Sequence, residues 1–359
     1  MAEPALHGAW PGWLAPLAPL TPLYRGAVAL RGALYDAGWL PARRAAVPVI
    51  SVGNITAGGS GKSPMVAWVA RTLTRAGARP AVVSRGYRGS HTGAATVVSE
   101  GSGPIVGADV AGDEPVMLAA ALPGVPVIVA RRRADGAALA ADRFGARSVI
   151  LDDGFQHRAL ARDLDLVMVD GMDPFGSGHL LPAGPLREPL AALRRAAVLV
   201  VHGGGGESAS ERAARRAIEE AAARHCPGAP ILHARSRAAS LVEAATGREM
   251  PLASLAGRPV ACFAGIARPG RFFADARAAG ADVRLERSFT DHHAFDDRDV
   301  QELSSAAREA GAAWLLTTEK DLARLGAGAS RLSSLHALRI ELDVIEPDIL
   351  ERRLREAVA

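Results

Sequence analysis

The chain is poor in cysteine, and this shortage excludes whole classes of small, cross-linked proteins. Its two cysteines, Cys226 and Cys262, can form neither a disulfide framework nor a cysteine-rich zinc site, so a reducing cytosol is the simplest setting. Basic runs with interleaved aromatic residues are also missing, and nucleic acid is therefore not expected as a partner. The formal net charge of +4 suits acidic partners such as phosphates or anionic lipid.

Lysine and asparagine are also scarce. The 42 basic residues include 40 arginines, so Lys62 and Lys320 are the only lysines, and Asn54 is the only asparagine. GC-rich codon usage favours arginine over lysine wherever the chemistry permits the exchange. The two remaining lysines are therefore the first places to look for a function, although chance survival is the alternative.

The N-terminal region has no uninterrupted apolar run. Residues 5–24 carry no Asp, Glu, Lys or Arg, but four prolines interrupt them, and each removes a helical hydrogen bond that hydrocarbon cannot replace. A membrane-spanning helix is therefore not expected, and no basic region precedes the segment to indicate a secretory signal. From Leu23 to Leu34, apolar residues recur at helical spacing beside arginines. This pattern fits a helix lying in a bilayer interface or one docked on the protein's own core.

The rest of the chain alternates between apolar runs and helical stretches, which is typical of βαβ units and a parallel sheet. Its hydrophobic fraction of 49% excludes global disorder, and 359 residues suit two domains. The predicted strands are Val47–Val52, Ala81–Ser84, Val125–Val129, Ser148–Asp152, Leu164–Val169, Val198–His202, Ile231–Arg235, Pro259–Ala264, Val283–Leu285 and Ala313–Thr317. The predicted helices are Pro64–Ala76, Asp135–Phe144, Ser208–His225, Pro269–Ala279 and Asp296–Ala310. Pro227, Gly228 and Pro230 mark a boundary between two such alternations.

A glycine-rich turn follows the first strand. Residues 49–66 read VISVGNITAGGSGKSPMV, which is an apolar strand, a turn containing Gly61-Lys62-Ser63, and then a helix. That order of elements is typical of a P-loop, in which backbone N–H groups and the helix N-terminus bind phosphate. Lys62 would reach the β- and γ-phosphates, and the Ser63 hydroxyl would ligate Mg²⁺. The sequence departs from the strict motif at Thr56, where a glycine is usual.

Carboxylates follow the loop at two places. Asp152 and Asp153 end an apolar strand, where an acid of a P-loop protein orients Mg²⁺ or its water shell. Asp113 and Glu114 precede Pro115 at the start of a helical stretch. They fit either a base with a metal-shell ligand or an ordinary helix N-cap, and the residues alone do not decide between these.

Two further groups lie in the second alternation. His292, within Asp291-His292-His293, could orient a carboxylate across a cleft or lie on the surface. Lys320 follows Thr317-Thr318-Glu319 and could pair with a carboxylate or a substrate phosphate. A helix cap built on Thr317 or Thr318 is the alternative at that position.

Taken together and in order, these motifs resemble the tetraacyldisaccharide 4'-kinase family of lipid A biosynthesis. The resemblance rests on SVGNITAGGSGKSP, SRGYRG, GDEP, LDDGFQH, LPAGPLREP, FTDHH and TTEKD, and covers about residues 10–345. It implies phosphoryl transfer from ATP to the 4'-hydroxyl of a tetraacyldisaccharide 1-phosphate, giving lipid IVA. It also implies a peripheral enzyme on the cytoplasmic face of the inner membrane of a Gram-negative bacterium.

The resemblance implies an α/β fold: a P-loop NTPase-type parallel sheet core, a second, smaller α/β lobe and an N-terminal amphipathic, membrane-facing helix. We expect segment 1–45 to associate with the membrane, 46–227 to form the kinase core, and 228–359 to form the smaller lobe that contributes His292.

The resemblance also assigns roles to individual residues. It makes Asp113 the base, with His292 as its partner. Nucleotide binding is expected at Ile55, Thr56, Ala57, Gly58, Gly59, Ser60, Gly61, Lys62 and Ser63. The expected metal-shell or nucleotide-positioning residues are Ser63, Glu114, Asp152 and Asp153. The residues expected to line the substrate cleft are Tyr87, Gln156, His157, Arg187 and Glu188.

Two other functions compete with this interpretation. A P-loop ATPase or GTPase of the partitioning or metal-delivery type would explain the loop and the strand ending in Asp152, but not the Asp291-His292 motif or the apolar N-terminus. A membrane-surface binding module without turnover is the second alternative.

Overall fold

The computed structural model describes residues 12–359, with side chains from residue 16 onwards. The first eleven residues of the predicted N-terminal segment lie outside the described residues. The strands are, in chain order, β1 (Val49–Gly53), β2 (Pro80–Ser84), β3 (Thr96–Ser99), β4 (Val127–Val129), β5 (Ser148–Asp152), β6 (Leu164–Asp170), β7 (Val198–His202), β8 (Ile231–Glu243), β9 (Glu249–Pro251), β10 (Pro259–Ala264), β11 (Asp282–Ser288), β12 (Trp314–Thr318) and β13 (Leu335–Ile345).

Helices separate most of these strands. They are α1 (Thr21–Asp36), α2 (Lys62–Arg75), α3 (Ala108–Ala111), α4 (Asp113–Ala121), α5 (Arg133–Phe144), α6 (Ala209–His225), α7 (Pro269–Ala278), α8 (Asp297–Glu309), α9 (Glu319–Leu325) and α10 (Pro347–Val358). Short 3-10 turns lie at Gly12–Leu20, Leu190–Arg195, Leu252–Leu255 and Gly326–Arg331. Within residues 12–359, no helix combines the length and the apolar character that crossing a bilayer requires.

The chain divides into two compact units that are discontinuous in sequence. The first comprises residues up to Arg85, Arg132–Arg235 and Asp343–Ala359, and the second comprises Gly86–Arg131 and Ser236–Leu342. Asp113, although it precedes much of the first unit in sequence, therefore belongs to the same compact unit as residues 236–342. The sequence-based boundaries at 45/46 and 227/228 stay a prediction about functional segments.

The first unit contains a parallel sheet with β1 near its centre. β1 pairs with β5 on one side and β6 on the other, β2 extends the sheet beyond β5, and β7 extends it beyond β6. All five residues of β1 are buried, as expected for a strand covered on both faces. Because these strands are parallel, Gly53, Asp152 and His202 come to the same carboxyl edge of the sheet.

The second unit contains its own parallel strands. β10 lies between β11 and β12, and β12 pairs with β13. Helix α8 begins with a capping box in which the Asp296 and Asp299 side chains each accept a hydrogen bond from the other's backbone N–H. Phe263 of β10 is fully buried and packs edge-on against Phe289 and Phe295, which anchors the loop that carries His292.

The α/β class with mostly parallel strands is confirmed. Three predicted strands, Ser148–Asp152, Val198–His202 and Pro259–Ala264, have the observed bounds. Sequence reasoning did not predict β13 or α10.

Candidate active site

The predicted site residues fall into two clusters, one in each unit, and the first surrounds the loop between β1 and α2. Gly61 precedes Lys62 with φ +81°, a conformation that favours glycine. A Cβ at Gly61 would also lie 2.7 Å from Nδ1 of His202, so a side chain there would force the imidazole to move. Lys62 and Ser63 follow in the first turn of α2, where backbone N–H groups without an intrahelical partner can bind an anion.

The only asparagine of the chain organises this loop from within. Asn54 is fully buried, its Nδ2 donates to the Ser60 hydroxyl at 2.9 Å, and its Oδ1 accepts from Lys62 Nζ at 3.3 Å. Gln156 Nε2 in turn donates to the Asn54 carbonyl at 2.7 Å. One side chain therefore links the start of the loop to its end and to Lys62.

Lys62 also approaches a carboxylate. Its Nζ lies 3.5 Å from Oδ1 of Asp153, and Arg187 Nη1 donates to the same carboxylate at 2.9 and 3.1 Å. Burial alone would raise the pKa of Asp153, but the charges of Lys62 and Arg187 together hold it below its usual value. Asp153 is therefore a carboxylate that orients two cations.

Asp152 lies deeper, at the end of β5. Its Oδ2 accepts from the Ser84 hydroxyl at 3.1 Å, and its side chain is almost completely buried. Burial lowers the pKa of nearby Arg133 to about 10, an effect that the charges of Asp152 and Asp153 oppose. Two adjacent acids thus have different surroundings, because β5 ends at Asp152 and Asp153 follows it with φ +53°.

The segment preceding Arg187 runs alongside the loop. Ala57 N donates to the Pro185 carbonyl at 2.7 Å, and Arg187 N donates to the Ile55 carbonyl at 2.8 Å. Tyr24 of α1 donates its hydroxyl proton to the Arg187 carbonyl at 2.8 Å. Helix α1 is therefore hydrogen-bonded to the segment that holds the loop.

Three predicted substrate residues lie near this cluster in different settings. Gln156 supports Asn54, as described above. Burial and the surrounding arginines, Arg133 first among them, lower the pKa of His157 to about 4, so its imidazole is neutral at physiological pH. Glu188 is buried and accepts from Arg195 Nη2 at 2.5 Å. Their role towards a substrate stays a prediction.

The second cluster brings together residues that are far apart in sequence. Asp113 begins α4 and is mostly buried, and its Oδ2 lies 3.2 Å from Nδ1 of His292, which is 179 positions away. Gly112 precedes it with φ +85°, and a Cβ there would lie 2.5 Å from the Tyr87 carbonyl oxygen. The predicted partnership of Asp113 and His292 thus has the geometry of a hydrogen bond.

A third residue in this cluster was not predicted from the sequence. Arg324 of α9 donates to Asp113 Oδ2 from Nε at 2.8 Å and from Nη2 at 2.5 Å. Burial would raise the pKa of Asp113, but the charges of Arg324, Lys320 and His292 together hold it below its usual value. One arginine among 40 gives no compositional signal, so only the fold reveals it.

The remaining predicted residues of the second unit surround this cluster. Lys320 Nζ donates to Oε1 of Glu114 at 2.7 Å, which gives the second lysine the carboxylate partner that was one of its two expected roles. The Tyr87 side chain is exposed, and its ring lies edge-on to that of His292 with centroids 6.5 Å apart. A metal-shell role for Glu114 stays a prediction.

The fold and the first cluster define the chain as a nucleotide-binding protein of the P-loop type, with a serine and a lysine at the start of the helix. Residues 13–359 match the family described as tetraacyldisaccharide-1-P 4'-kinase (LpxK), and the chain belongs to that family. It is therefore a kinase, an ATP-binding transferase.

Relatives and a solved structure support the assignment. The tetraacyldisaccharide 4'-kinase of Anaeromyxobacter sp. (strain Fw109-5) is 45% identical over 357 residues, covering 98% of this chain and 95% of that protein. The enzyme of the same name from Geobacter metallireducens is 42% identical over 339 residues, covering 94% and 96%. The crystal structure of LpxK from Aquifex aeolicus in complex with ATP has a TM-score of 0.78 and 32% identity, covering 97% of this chain and all of that one.

Replacing Asn54 with alanine should weaken ATP binding. The change removes the donor to Ser60 and the acceptor from Lys62, and an unsatisfied buried polar group typically costs about 1–3 kcal/mol. We expect the Kd for ATP to rise roughly tenfold, measured by titration calorimetry.

Thr317→Val is the matched control, because Thr317 is a fully buried residue of the second unit whose hydroxyl donates to the Phe263 carbonyl at 2.9 Å. It should lower Tm without changing the Kd for ATP. An Asn54→Ala protein that binds ATP as the wild type does would contradict the assigned role of Asn54.

Proposed function

We propose that the chain transfers the γ-phosphate of ATP to the 4'-hydroxyl of a tetraacyldisaccharide 1-phosphate, giving lipid IVA. The observation that carries this proposal is the Asp113–His292 pair, whose facing atoms are 3.2 Å apart. Such a pair can take a proton from an attacking alcohol or from an attacking water. The match to the tetraacyldisaccharide-1-P 4'-kinase family favours the alcohol.

In this proposal the two clusters perform different parts of the reaction. The loop residues Ile55 to Ser63 bind the phosphates through backbone N–H groups, and Lys62 places its ammonium against the β- and γ-phosphates. Asp113 accepts the proton of the attacking hydroxyl, and His292 orients its carboxylate. Phosphoryl transfer depends mainly on positioning and charge neutralisation, which these groups supply.

The residues near the loop also suit Mg²⁺. Within residues 12–359, no three His, Cys, Asp or Glu side chains come together as ligands of one ion. Mg²⁺ usually needs only one or two carboxylates besides substrate phosphates and waters, so the Ser63 hydroxyl and the Asp152 carboxylate are suitable oxygen donors. When bound, Mg²⁺ neutralises phosphate charge. Asp153 already orients Lys62 and Arg187, so we assign it to nucleotide positioning.

The acylated disaccharide needs its own contacts. We assign these to Tyr87, Gln156, His157, Arg187 and Glu188. Tyr87 supplies an exposed aromatic face beside His292, and Arg187 supplies a cation beside the loop. Arginine is well suited to phosphate because its donors form a planar fork.

One assay separates the candidate functions. ATP labelled at the γ-phosphate is mixed with the monophosphorylated acyl disaccharide, and the lipid is then resolved by chromatography. Label in the lipid supports the kinase. Free labelled phosphate without labelled lipid would indicate an ATPase, and neither product would indicate a binding module.

The described part of the N-terminal segment suits a bilayer surface. Helix α1 has no fully buried residue, and its Leu23 and Leu30 side chains are 74% and 61% exposed; Trp39, just after the helix, is 79% exposed. Its other side docks on the first unit, where Tyr24 packs against the core and Arg158 donates to the Gly32 carbonyl at 3.0 Å. We therefore place the protein peripherally on the cytoplasmic face of the inner membrane, with α1 between the core and the lipid.

Leu23→Glu together with Leu30→Glu should abolish vesicle binding. Each change removes about 2 kcal/mol of apolar burial in the interface, so the partition constant should fall roughly 10²–10³-fold in sedimentation with phosphatidylethanolamine–phosphatidylglycerol vesicles. Deleting residues 1–40 should have the same effect, but it also removes the Tyr24 contact, so the point variants are cleaner.

Ile105→Glu is the control for the added charge, because Ile105 is 58% exposed in the second unit. It should leave vesicle binding unchanged. If the Leu23/Leu30 variant still sediments with vesicles, the anchor lies elsewhere.

A further inference from the structure

Arg324 contacts both Asp113 and His292, yet the proposed mechanism gives it no task. Its side chain is only 7% exposed. It donates to the Asp113 carboxylate, to the Gly265 carbonyl oxygen at 2.6 Å and to Asp321 Oδ1 at 2.9 Å. A guanidinium held at three places has little freedom to move.

The contacts with Asp113 fix the direction of its carboxylate. Nε and Nη2 of Arg324 both reach Oδ2, the oxygen that also faces His292. The other oxygen, Oδ1, accepts from the backbone N–H of Glu114 at 3.0 Å. Donors on both oxygens prevent the carboxylate from rotating about its Cβ–Cγ bond, so Oδ2 stays turned towards the imidazole.

The same arginine is tied to the backbone around His292. The Gly265 carbonyl oxygen, which accepts from Arg324 Nη1, also accepts from the backbone N–H of His292 at 3.1 Å. His292 has φ +61°, which is uncommon for a residue with a side chain and has to be held by its surroundings. Arg324 Nη2 further lies 3.1 Å from His292 Nδ1. One side chain therefore contacts both members of the pair.

The buried carboxylate of Asp321 holds Arg324 in place by accepting a hydrogen bond from its Nη1. Asp321 is fully buried, and its Oδ2 accepts from the Gly265 N–H at 3.0 Å and from the Thr318 hydroxyl at 2.7 Å. The order of contacts is thus Asp321, Arg324, then Asp113 and His292. The planar fork of the guanidinium donates to a carboxylate on each side and to a carbonyl at once, a spread that the compact ammonium of lysine does not match.

We propose that Arg324 is a positioning residue of the phosphoryl transfer: it fixes the Asp113 carboxylate and the His292 backbone in the mutual orientation that proton removal requires. The proposal rests on the proposed kinase function. The competing explanation is a buried ion pair that only stabilises the fold, and the two differ in what they predict for kcat.

Two variants and one control test the proposal in full-length protein. Arg324→Gln removes charge and fork, and Arg324→Lys keeps the charge but loses the fork. Arg339→Gln is the control, because Arg339 is similarly buried in the same unit and pairs with Glu319 and Glu249 at 2.8 Å rather than with Asp113. We expect kcat to fall roughly 10–10²-fold in both Arg324 variants, with KM for both substrates nearly unchanged, because small misplacements of reacting groups cost that much. Arg339→Gln should lower Tm without lowering kcat.

The second part of the experiment asks whether Arg324 acts through Asp113. In an Asp113→Asn background, Arg324→Gln should reduce kcat by no more than about twofold further, because the group that it positions is already lost. A full multiplicative loss would overturn the proposal, as would wild-type kcat in Arg324→Lys or an equal kcat loss in Arg339→Gln. If wild-type protein leaves the lipid unlabelled, the kinase function itself fails, and the inference fails with it.

Discussion

Replacing Lys62 with arginine should impair the kinase almost as severely as replacing it with alanine. The Lys62 ammonium lies 3.3 Å from Asn54 Oδ1 and 3.5 Å from Asp153 Oδ1, and its side chain is only 11% exposed. A guanidinium is broader, planar and cannot occupy the position of a compact point charge between these two oxygens. We expect kcat to fall roughly 10²–10³-fold in both variants, the usual cost of losing one preorganised group that stabilises transition-state charge. KM for ATP should rise as well, because the ammonium also meets phosphate in the ground state.

Lys62→Met separates the effect of the positive charge from that of side-chain shape, because methionine has a similar length and no charge. If shape and charge are both needed, the methionine and arginine variants will be equally impaired in the labelled-lipid assay while Tm changes little. An arginine variant with more than a tenth of wild-type kcat, beside an inactive methionine variant, would show that positive charge alone suffices.

The phosphate-binding loop could be predicted from the sequence because all of its signals are local. The strand, the turn and the start of the helix lie within residues 49–66, where the structure has β1 and the first residues of α2. The sequence did not show what the Asn54 side chain does. Asn54 stood out as the only asparagine of the chain, but only the folded loop shows that its side chain contacts Ser60 and Lys62.

The second cluster could not be assembled by local reasoning. Asp113 and His292 are 179 positions apart, and a GDEP motif at a helix start is by itself an ordinary cap. Family resemblance paired them, whereas composition and spacing left the alternatives open. Arg324 carried no signal at all, because arginine is common in this chain and its role depends on which carboxylates the fold brings to α9.

Replacing Asp113 with asparagine should lower kcat by roughly 10²–10⁴-fold, the range for a lost general base. Asparagine keeps the shape of the side chain, and its amide oxygen can still accept from Arg324, but it cannot take a proton from a hydroxyl. Asp113→Ala should lower kcat by the same range and should cost a further stability loss of about 1–3 kcal/mol, because Arg324 then also loses a buried hydrogen-bond acceptor. Comparing the Tm of the two variants therefore separates chemistry from folding.

The changes in kcat and KM distinguish the Asp113 variants from the Lys62 variants. Asp113 is proposed to act only when the hydroxyl loses its proton, so KM for ATP and for the acyl disaccharide should change little while kcat falls. Asp109→Asn is the matched control, since Asp109 is an exposed acid on the neighbouring helix α3, and it should leave both constants unchanged.

His292→Ala should lower kcat less than Asp113→Asn does, because it removes the partner but leaves the base. A near-normal kcat in Asp113→Asn would remove Asp113 from the role of base, and a larger loss in His292→Ala than in Asp113→Asn would transfer that role to the imidazole.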